Sequence, residues 1–366
     1  MTKKGNTKVG ILTLPFNGNY GGILQTYALQ SYLQKQGYEV IHIYRDFPEK
    51  NKVLASLKDA VKFLLGRTVR SRIKRHYTFG FFKKYVHPRT DRIRTLADLK
   101  SINKNGITTI IVGSDQVWRK SCIYGDLKLN YFLDFADDRI NRITYAASFG
   151  VDFWEFDELE TKEINRLVHK FSAVSVREKS GLELCNKYLN IDAKYVIDPV
   201  MLLSPKDYIN LINDEREERA EGDCLVYLLD STEEKRSIVN DIAKKFDYET
   251  YSVNGDVVKW GMPMKPRVTS WLRGFYDSKF VITDSFHGCL FSIIFNKPFL
   301  VIGNEKRGLA RFFSVLGDFN LERRMILVKT DDYIERVKEP IDWDETNSKL
   351  EQRKREAHLY LTSSIK

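Results

Sequence analysis

The chain has 366 residues with a net charge of +10, and 43% of its residues are hydrophobic against 30% charged. This length gives room for two domains, each with a full core. No run reaches the roughly 18 apolar residues of a membrane-spanning helix, and the four cysteines are widely spaced without a CxxC pair. The cysteine spacing argues against a zinc site and a disulfide framework. We expect no signal peptide and a cytoplasmic protein.

The positive charge is concentrated in one segment. Residues 50–94 contain fourteen Lys and Arg against two Asp, with apolar residues interleaved. Such a stretch can lie on an anionic bilayer or contact nucleic-acid phosphates. It can also be a solvated helical insertion whose Lys and Arg stems cover apolar surface. Of the two partners we favour the membrane, which predicts a peripheral contact at its inner face and no nucleic acid.

Strand and helix patterns alternate along the first half of the chain. An apolar run at 9–14 predicts a buried strand, and the glycine-rich loop at 17–22 a turn. Apolar spacing over 24–33 predicts a helix, and 38–44 the next strand, so the chain opens with a βαβ unit and a parallel sheet. Further strands are predicted at 107–112, 143–147, 173–176 and 195–197.

A second alternating series follows a polar block at 213–222. Strands are predicted at 224–229, 249–253, 280–283 and 299–302, helices at 232–246 and 270–278, and a polar helix at 344–360. The fold class is α/β, with two Rossmann-like domains facing a cleft, as in the glycosyltransferase-B type. We expect an N-terminal domain at 1–205 with a basic helical insertion at about 50–95, a C-terminal domain at 206–343 and a C-terminal helix at 344–366.

The segment KFVITDSFHG at 279–288 carries the strongest functional signal. An apolar strand ends in a polar corner, His287 stands at the turn, and a helix then begins. The carboxyl ends of strands in an open α/β sheet face the ligand crevice. The N-terminus of a helix can bind a phosphate or carboxylate through its backbone N–H groups, and we call this position the anion seat. His287 is therefore a candidate acid/base residue, whereas the other five histidines have no comparable setting.

Three further strand ends carry polar motifs. The loop NGNYGG at 17–22 allows close backbone approach to a phosphate or sugar, or forms only a tight turn. In GSDQVW at 113–118, short polar groups can bond sugar hydroxyls and Trp118 can stack on a sugar ring; the alternative is a helix cap. Arg177 can grip a carboxylate or phosphate, or form a surface ion pair with Glu178.

Together these motifs resemble the polysaccharide pyruvyl transferase family. The motifs are NGNYGGILQTYAL at 17–29, GSDQVW at 113–118, SVRE at 175–178 and DSFHG at 284–288, and the resemblance runs from about residue 9 to residue 316. It implies a two-domain enzyme that moves the enolpyruvyl unit of phosphoenolpyruvate onto a sugar as a pyruvate ketal and releases phosphate. It implies no metal or redox cofactor.

The resemblance also assigns roles, with His287 as the general acid. The donor-binding residues would be Arg177, Ser285, Phe286, Gly288, Lys306, Arg307 and Arg311. The acceptor, a saccharide that we expect to be linked to a lipid diphosphate, would contact Asn17, Asn19, Tyr20, Gln25, Ser114, Asp115 and Gln116. The chain departs from the family pattern at Ser285, where members often carry an arginine. Either Lys306, Arg307 or Arg311 supplies that cation, or the donor binds in a different position.

Two other functions stay open from sequence. A glycosyltransferase with a nucleotide-sugar donor shares the fold and the anion seat, although Glu305 is the one acidic candidate for a ribose contact. A non-catalytic binder of anionic glycans or nucleic acid, built on residues 50–94, would depend steeply on salt.

Overall fold

The computed structural model describes residues 7–16, 18–46, 76–123, 125–253, 257–259, 262–264, 266–304, 308–327 and 332–366. The predicted site residues Asn17, Lys306 and Arg307, and residues 50–75 of the basic segment, lie outside the described residues. Contacts divide the chain into two units, Met1–Leu202 with Arg353–Lys366, and Leu203–Gln352. The sequence predicts the boundary after residue 205.

The first unit is built on a parallel sheet in the order β2-β1-β3-β4. Single backbone bridges from Ile143 to Ala173 and from Ala147 to Val176 continue it towards the pair β5-β6. The β3 strand is buried throughout because helices cover both faces of such a sheet. The strands are β1 Lys8–Leu12, β2 Glu39–Ile43, β3 Thr109–Val112, β4 Asn141–Thr144, β5 Ser175–Val176 and β6 Lys194–Tyr195. The helices are α1 Tyr20–Lys35, α2 His76–Tyr85, α3 Leu96–Ser101, α4 Glu158–Val168 and α5 Lys179–Leu189.

Helix α2 shows how the described part of the basic segment is built. Its Phe82 is buried with Tyr44 and Val86, and Phe16 and Phe79 pack against them. The lysines of its last turn are exposed. The helix therefore buries an aromatic face against the first unit and turns positive charge towards solvent.

The second unit contains a five-stranded parallel sheet in the order β13-β12-β11-β7-β8. Its strands are β7 Cys224–Tyr227, β8 Thr250–Tyr251, β11 Phe280–Thr283, β12 Phe299–Ile302 and β13 Met325–Ile326, and a separate antiparallel pair is formed by β9 Val257–Lys259 and β10 Met262–Met264. The helices are α6 Pro205–Asp214, α7 Glu233–Phe246, α8 Val268–Asp277, α9 Phe286–Ile294, α10 Ala310–Asp318 and α11 Tyr333–Lys338. Helix α12, Trp343–Ser364, begins in the second unit and ends in the first, because the division falls between Gln352 and Arg353.

The predicted α/β class with parallel sheets is confirmed. The strands predicted at 280–283 and 299–302 have the observed bounds, and the remaining predicted strands overlap observed ones. Across the described part of the chain, no helix is both long and apolar enough to span a bilayer.

Candidate active site

In the second unit, the chain turns from β11 into α9 through a short capped corner. The backbone N–H of Ser285 donates to Oγ1 of Thr283 at 3.0 Å, and Oγ of Ser285 accepts from the backbone N–H of Gly288 at 3.3 Å. Ser285 is thus the N-cap of α9. This cap fixes His287 in the first turn of the helix, where 8% of the residue is exposed.

The corner requires glycine at position 288. A Cβ on Gly288 would lie 2.3 Å from Oγ1 of Thr283, which is too close for any larger residue without a shift. The same Oγ1 donates to the carbonyl of Tyr227 at 2.8 Å and so joins β11 to β7. The first turn of α9 is therefore held tightly against the end of its own strand.

Arg311 is the predicted donor cation that the structure describes beside this turn. Its guanidinium carbon lies 5.0 Å from the ring centroid of Phe286, a cation–π contact. Phe286 in turn lies edge-on to Phe312, with centroids 5.7 Å apart, and 5.5 Å from the ring of His287. Phe286 thus contacts both the guanidinium of Arg311 and the ring of His287.

A buried ion pair beneath this corner was missed by sequence reasoning. Nζ of Lys235 lies 2.6 Å from Oδ2 of Asp284, and both residues are buried. The Asp284 carboxylate also accepts from the backbone N–H groups of Leu229 and Asp230, at 2.6 and 3.1 Å. Asn304, after β12, donates to Asp230 at 2.6 Å. These bonds join the carboxyl ends of β7, β11 and β12.

In the first unit, Arg177 is surrounded by carboxylates. The guanidinium lies 2.8 Å from Asp198, 3.6 Å from Asp115 and 4.0 Å from Glu178, and 3% of the residue is exposed. Burial by itself lowers the pKa of Arg177, but the three carboxylates outweigh it and raise the pKa above its usual value. Arg177 is therefore held charged, with its charge balanced inside the protein.

Two predicted acceptor residues belong to the same cluster. The side-chain amide of Gln25 donates to Ser114 at 3.1 Å and to Asp198 at 2.5 Å. Arg177 donates to the same two oxygen-bearing side chains, at 3.2 and 2.8 Å. Asp198 was not predicted as a site residue because it precedes a proline in a stretch that resembles a linker. The structure thus brings Gln25 and Ser114 together with Arg177, which the sequence assigned to the donor.

Asp115 has a backbone conformation that is rare outside glycine, with φ of 86°. Its Oδ1 accepts from the backbone N–H of Gln116 at 2.9 Å. Its Oδ2 lies 3.2 Å from where a Cβ on Gly22 would be, so the carboxylate faces the first turn of α1. Asn19 caps that turn by accepting from the N–H of Gly21 at 3.1 Å.

Tyr20 and Gln116 are engaged within the protein. Tyr20 is buried, and Oε1 of Gln116 accepts from Arg119 at 3.4 Å and from Cys122 at 3.3 Å. Their contacts with an acceptor stay predictions, as do those of Asn19, Gln25, Ser114 and Asp115.

The prediction that Trp118 stacks on a sugar ring is wrong. The residue is fully buried, its Nε1 donates to the carbonyl of Tyr131 at 3.0 Å, and its ring stacks on Phe132 with centroids 5.5 Å apart. A turn in which the N–H of Val117 donates to the carbonyl of Asp115 directs the following side chain into the core.

Asp198→Ala will strongly destabilise the first unit. It removes the closest carboxylate from a buried guanidinium, and breaking such a pair costs about 3–5 kcal/mol. Urea unfolding measures the loss. The control is Asp192→Ala, which breaks the solvent-exposed pair with Lys194 and should leave the curve nearly unchanged. If the two substitutions lowered the free energy of unfolding equally, Asp198 would contribute no more to stability than an exposed carboxylate does.

Lys235→Met will likewise destabilise the second unit, because it leaves the buried carboxyl group of Asp284 without its cationic partner. The expected loss is about 3–5 kcal/mol in the free energy of unfolding. Lys279→Met is the matched control, since Lys279 pairs with Asp223 at 2.7 Å on the surface. A wild-type unfolding curve for Lys235→Met would contradict the assignment of Asp284 as the anchor of this corner.

Comparisons with known proteins address the fold. UDP-GlcNAc 2-epimerase from Neisseria meningitidis, bound to UDP-GlcNAc, matches with a TM-score of 0.55 at 10% identity, over 98% of this chain and 100% of that one. UDP-N-acetylglucosamine 2-epimerase from Rickettsia bellii matches with a TM-score of 0.50 at 11% identity, over 98% and 97%. These likenesses confirm the predicted glycosyltransferase-B-like α/β fold. No curated protein matches the chain.

The comparison with family models covers the sequence motifs described above. The model of the family described as polysaccharide pyruvyl transferase matches residues 19–306. This range spans most of the chain and contains the Gly113–Trp118 motif, the Arg177 cluster and the His287 corner. The chain therefore belongs to the polysaccharide pyruvyl transferase family.

Proposed function

We propose that this protein transfers pyruvate from phosphoenolpyruvate onto a sugar of a polysaccharide or of its lipid-linked precursor. The product is a pyruvate ketal, and phosphate is released. Membership of the family supports pyruvate transfer to a saccharide. The observation that carries the choice of donor is His287 in the capped first turn of α9, with the guanidinium of Arg311 held against the adjacent Phe286.

This corner suits the chemistry of phosphoenolpyruvate. The donor carries a carboxylate and a phosphate, which need positive charge and N–H donors. The guanidinium of Arg311 and the positive end of the α9 helix dipole supply the charge. We assign to Arg311 the cation that the family pattern has at position 285. The charge of Arg177 is balanced by three carboxylates of the first unit, so the donor assignment does not depend on it.

The proposed reaction begins with a proton transfer. His287 gives a proton to the methylene carbon of phosphoenolpyruvate, which becomes a methyl group and leaves a cationic C2. A sugar hydroxyl adds to C2 and loses its proton. The bond from C2 to the phosphate oxygen then breaks, and phosphate leaves with the electron pair. A second hydroxyl of the sugar attacks C2 and closes the ketal, and the two hydroxyl protons restore the imidazolium and protonate the phosphate.

His287 and the sugar hydroxyls supply the protons of this scheme, and Arg311 with the N-terminus of α9 supplies the positive charge, so the proposed scheme uses no metal or redox cofactor. The acceptor contacts are assigned to the first unit, at Asn19 and Asp115. Contact of the basic segment with a membrane surface is part of the proposal, and the exposed lysines of α2 support it.

Calorimetry with phosphoenolpyruvate tests the donor. We expect micromolar binding that Arg311→Gln weakens by about ten-fold or more, because a charge-assisted hydrogen bond is lost. The control Arg323→Gln removes an exposed arginine of the same unit that pairs with Glu339 and should not change binding. Binding of UDP- or GDP-sugars without binding of phosphoenolpyruvate would make the protein a glycosyltransferase and refute the donor assignment.

His287→Gln tests the general acid. We expect kcat to fall by about 10²–10⁴-fold while KM for phosphoenolpyruvate changes little, because the cap and Arg311 are retained. Phosphate release is measured with a panel of polyprenyl-diphosphate-linked saccharides. His169→Gln, at an exposed helix end, is the control. Normal turnover by His287→Gln would exclude this residue as the proton donor.

A further inference from the structure

Three hydrogen bonds in series connect the end of β7 to the first turn of α9. The hydroxyl group of Thr283 donates to the carbonyl of Tyr227 at 2.8 Å, and its Oγ1 accepts from the backbone N–H of Ser285 at 3.0 Å. Oγ of Ser285 accepts in turn from the backbone N–H of Gly288 at 3.3 Å. The two N–H groups lie on either side of His287 in the chain. The series therefore ties the backbone around the proposed general acid to a neighbouring strand.

Both ends of this series lie in well-packed parts of the second unit. Thr283 is the last residue of β11, is fully buried, and pairs with Tyr227 of β7 in the sheet. The ring of Tyr227 lies edge-on to Trp271 and Phe275, with centroids 5.4 and 5.9 Å apart. Every residue of α9 is buried as well. The turn that carries His287 is thus held between two packed elements, and the side chain of Thr283 joins them.

The oxygen of Thr283 is needed in both of its roles. The N–H of Ser285 only donates and the carbonyl of Tyr227 only accepts, so a group that joins them must do both, as a hydroxyl does. Valine has nearly the same shape as threonine but can make neither bond. Serine can make both bonds and lacks only the methyl group, whose Cγ2 lies 3.1 Å from where a Cβ on Gly288 would be. Substitutions at position 283 therefore separate hydrogen bonding from packing.

We propose that Thr283 is a positioning residue for proton transfer by His287. Its hydroxyl group sets the place of the first turn of α9 relative to β7, and thereby the direction in which the imidazole faces the donor. The inference rests on the proposed function, in which His287 protonates phosphoenolpyruvate. Because Thr283 is fully buried, we assign it no contact with the donor. A displacement of about 1 Å at a reacting group can lower a rate by about 100-fold, so loss of the hydroxyl should act on kcat and not on donor binding.

The first unit supplies a matched control for Thr283→Val. Thr144 is the last residue of β4 and is also fully buried. Its Oγ1 donates to the carbonyl of Ser175 at 2.8 Å and accepts from the backbone N–H of the same residue at 2.6 Å. Thr144→Val therefore removes the same two kinds of hydrogen bond from the end of a strand, in a unit to which we assign no proton transfer.

Steady-state kinetics of phosphate release, with the same panel of saccharides, measure the effect. We expect Thr283→Val to lower kcat by about ten-fold or more while KM for phosphoenolpyruvate changes little. Thr283→Ser should be less stable to urea, because it loses a buried methyl group, yet keep nearly the wild-type kcat. Thr144→Val should be less stable and keep the wild-type kcat.

Two kinetic results would overturn the inference. One is a wild-type kcat in Thr283→Val. The other is a loss of kcat in Thr283→Ser as large as the loss expected for valine, and this result is decisive even if the valine variant does not fold.

NMR signals of the histidine rings test the positioning role without turnover. The chain has six histidines, and the signal of His287 is the one that disappears in His287→Gln. With the imidazole carbons labelled, Thr283→Val should shift this signal and Thr144→Val should leave it in place. A shifted signal in a protein whose wild type releases no phosphate from phosphoenolpyruvate would support the positioning role and refute the proposed function. An unshifted signal in a protein that turns over would refute the positioning role and leave the proposed function intact.

Discussion

A buried carboxylate holds the carboxyl end of the second sheet together. Asp284 directly follows β11 and accepts hydrogen bonds from two backbone N–H groups of the loop after β7 and one from Lys235 of α7. Because a buried charge is tolerated only when it is paired and hydrogen-bonded, this loop and this helix have one favourable arrangement around it. The capped turn that carries His287 begins at the next residue, so its position depends on the same carboxylate.

In the first unit, a buried aspartate also joins separate segments of the chain, but its charged partner is an arginine. Asp198 accepts from Gln25 and Arg177 and from the backbone N–H of Val200. It thereby links α1, the end of β5 and the stretch before α6. In both units, an aspartate at or near a strand end joins segments that are distant in sequence. A polar group of this kind fixes geometry, because each partner that moves away leaves a buried charge unsatisfied.

Much of the fold was predictable from sequence because short apolar runs in a parallel sheet are buried on both faces. The bounds of β11 and β12 follow from such runs. Helices α4 and α5 were not predicted, because their apolar residues are spaced among many polar ones and cover only one face. Within the candidate site, the sequence predicts the corner at Ser285–Gly288, because an apolar strand pattern changes there to a helix pattern. Whether its residues bind the donor stays a prediction.

Other parts of the site had no local signal. Lys235 lies in the first turn of a polar helix, and nothing in its neighbourhood distinguishes it from the exposed lysines further along α7. Its role appears only when the sheet brings it to Asp284, 49 positions away. For Trp118, the sequence predicted the position correctly but not the direction of the side chain. The motif located it correctly at a strand end, but the direction of its side chain is set by the left-handed residue Asp115, a backbone property that sequence spacing does not reveal.

Position 285 is a serine here, where members of the family often carry an arginine, and the surrounding charges give this difference a physical explanation. A serine at the N-cap satisfies the N–H of Gly288 and closes the turn, which an arginine side chain at that position does not do in the same way. The positive charge can then come from another helix, and Arg311 of α10 is fixed against Phe286, one residue from the histidine. Arg177 is a poorer substitute, because an anion approaching it would compete with three carboxylates. With serine at position 285, the proposed anion seat therefore needs a cation from outside α9, and among the described residues Arg311 on α10 is placed to supply it.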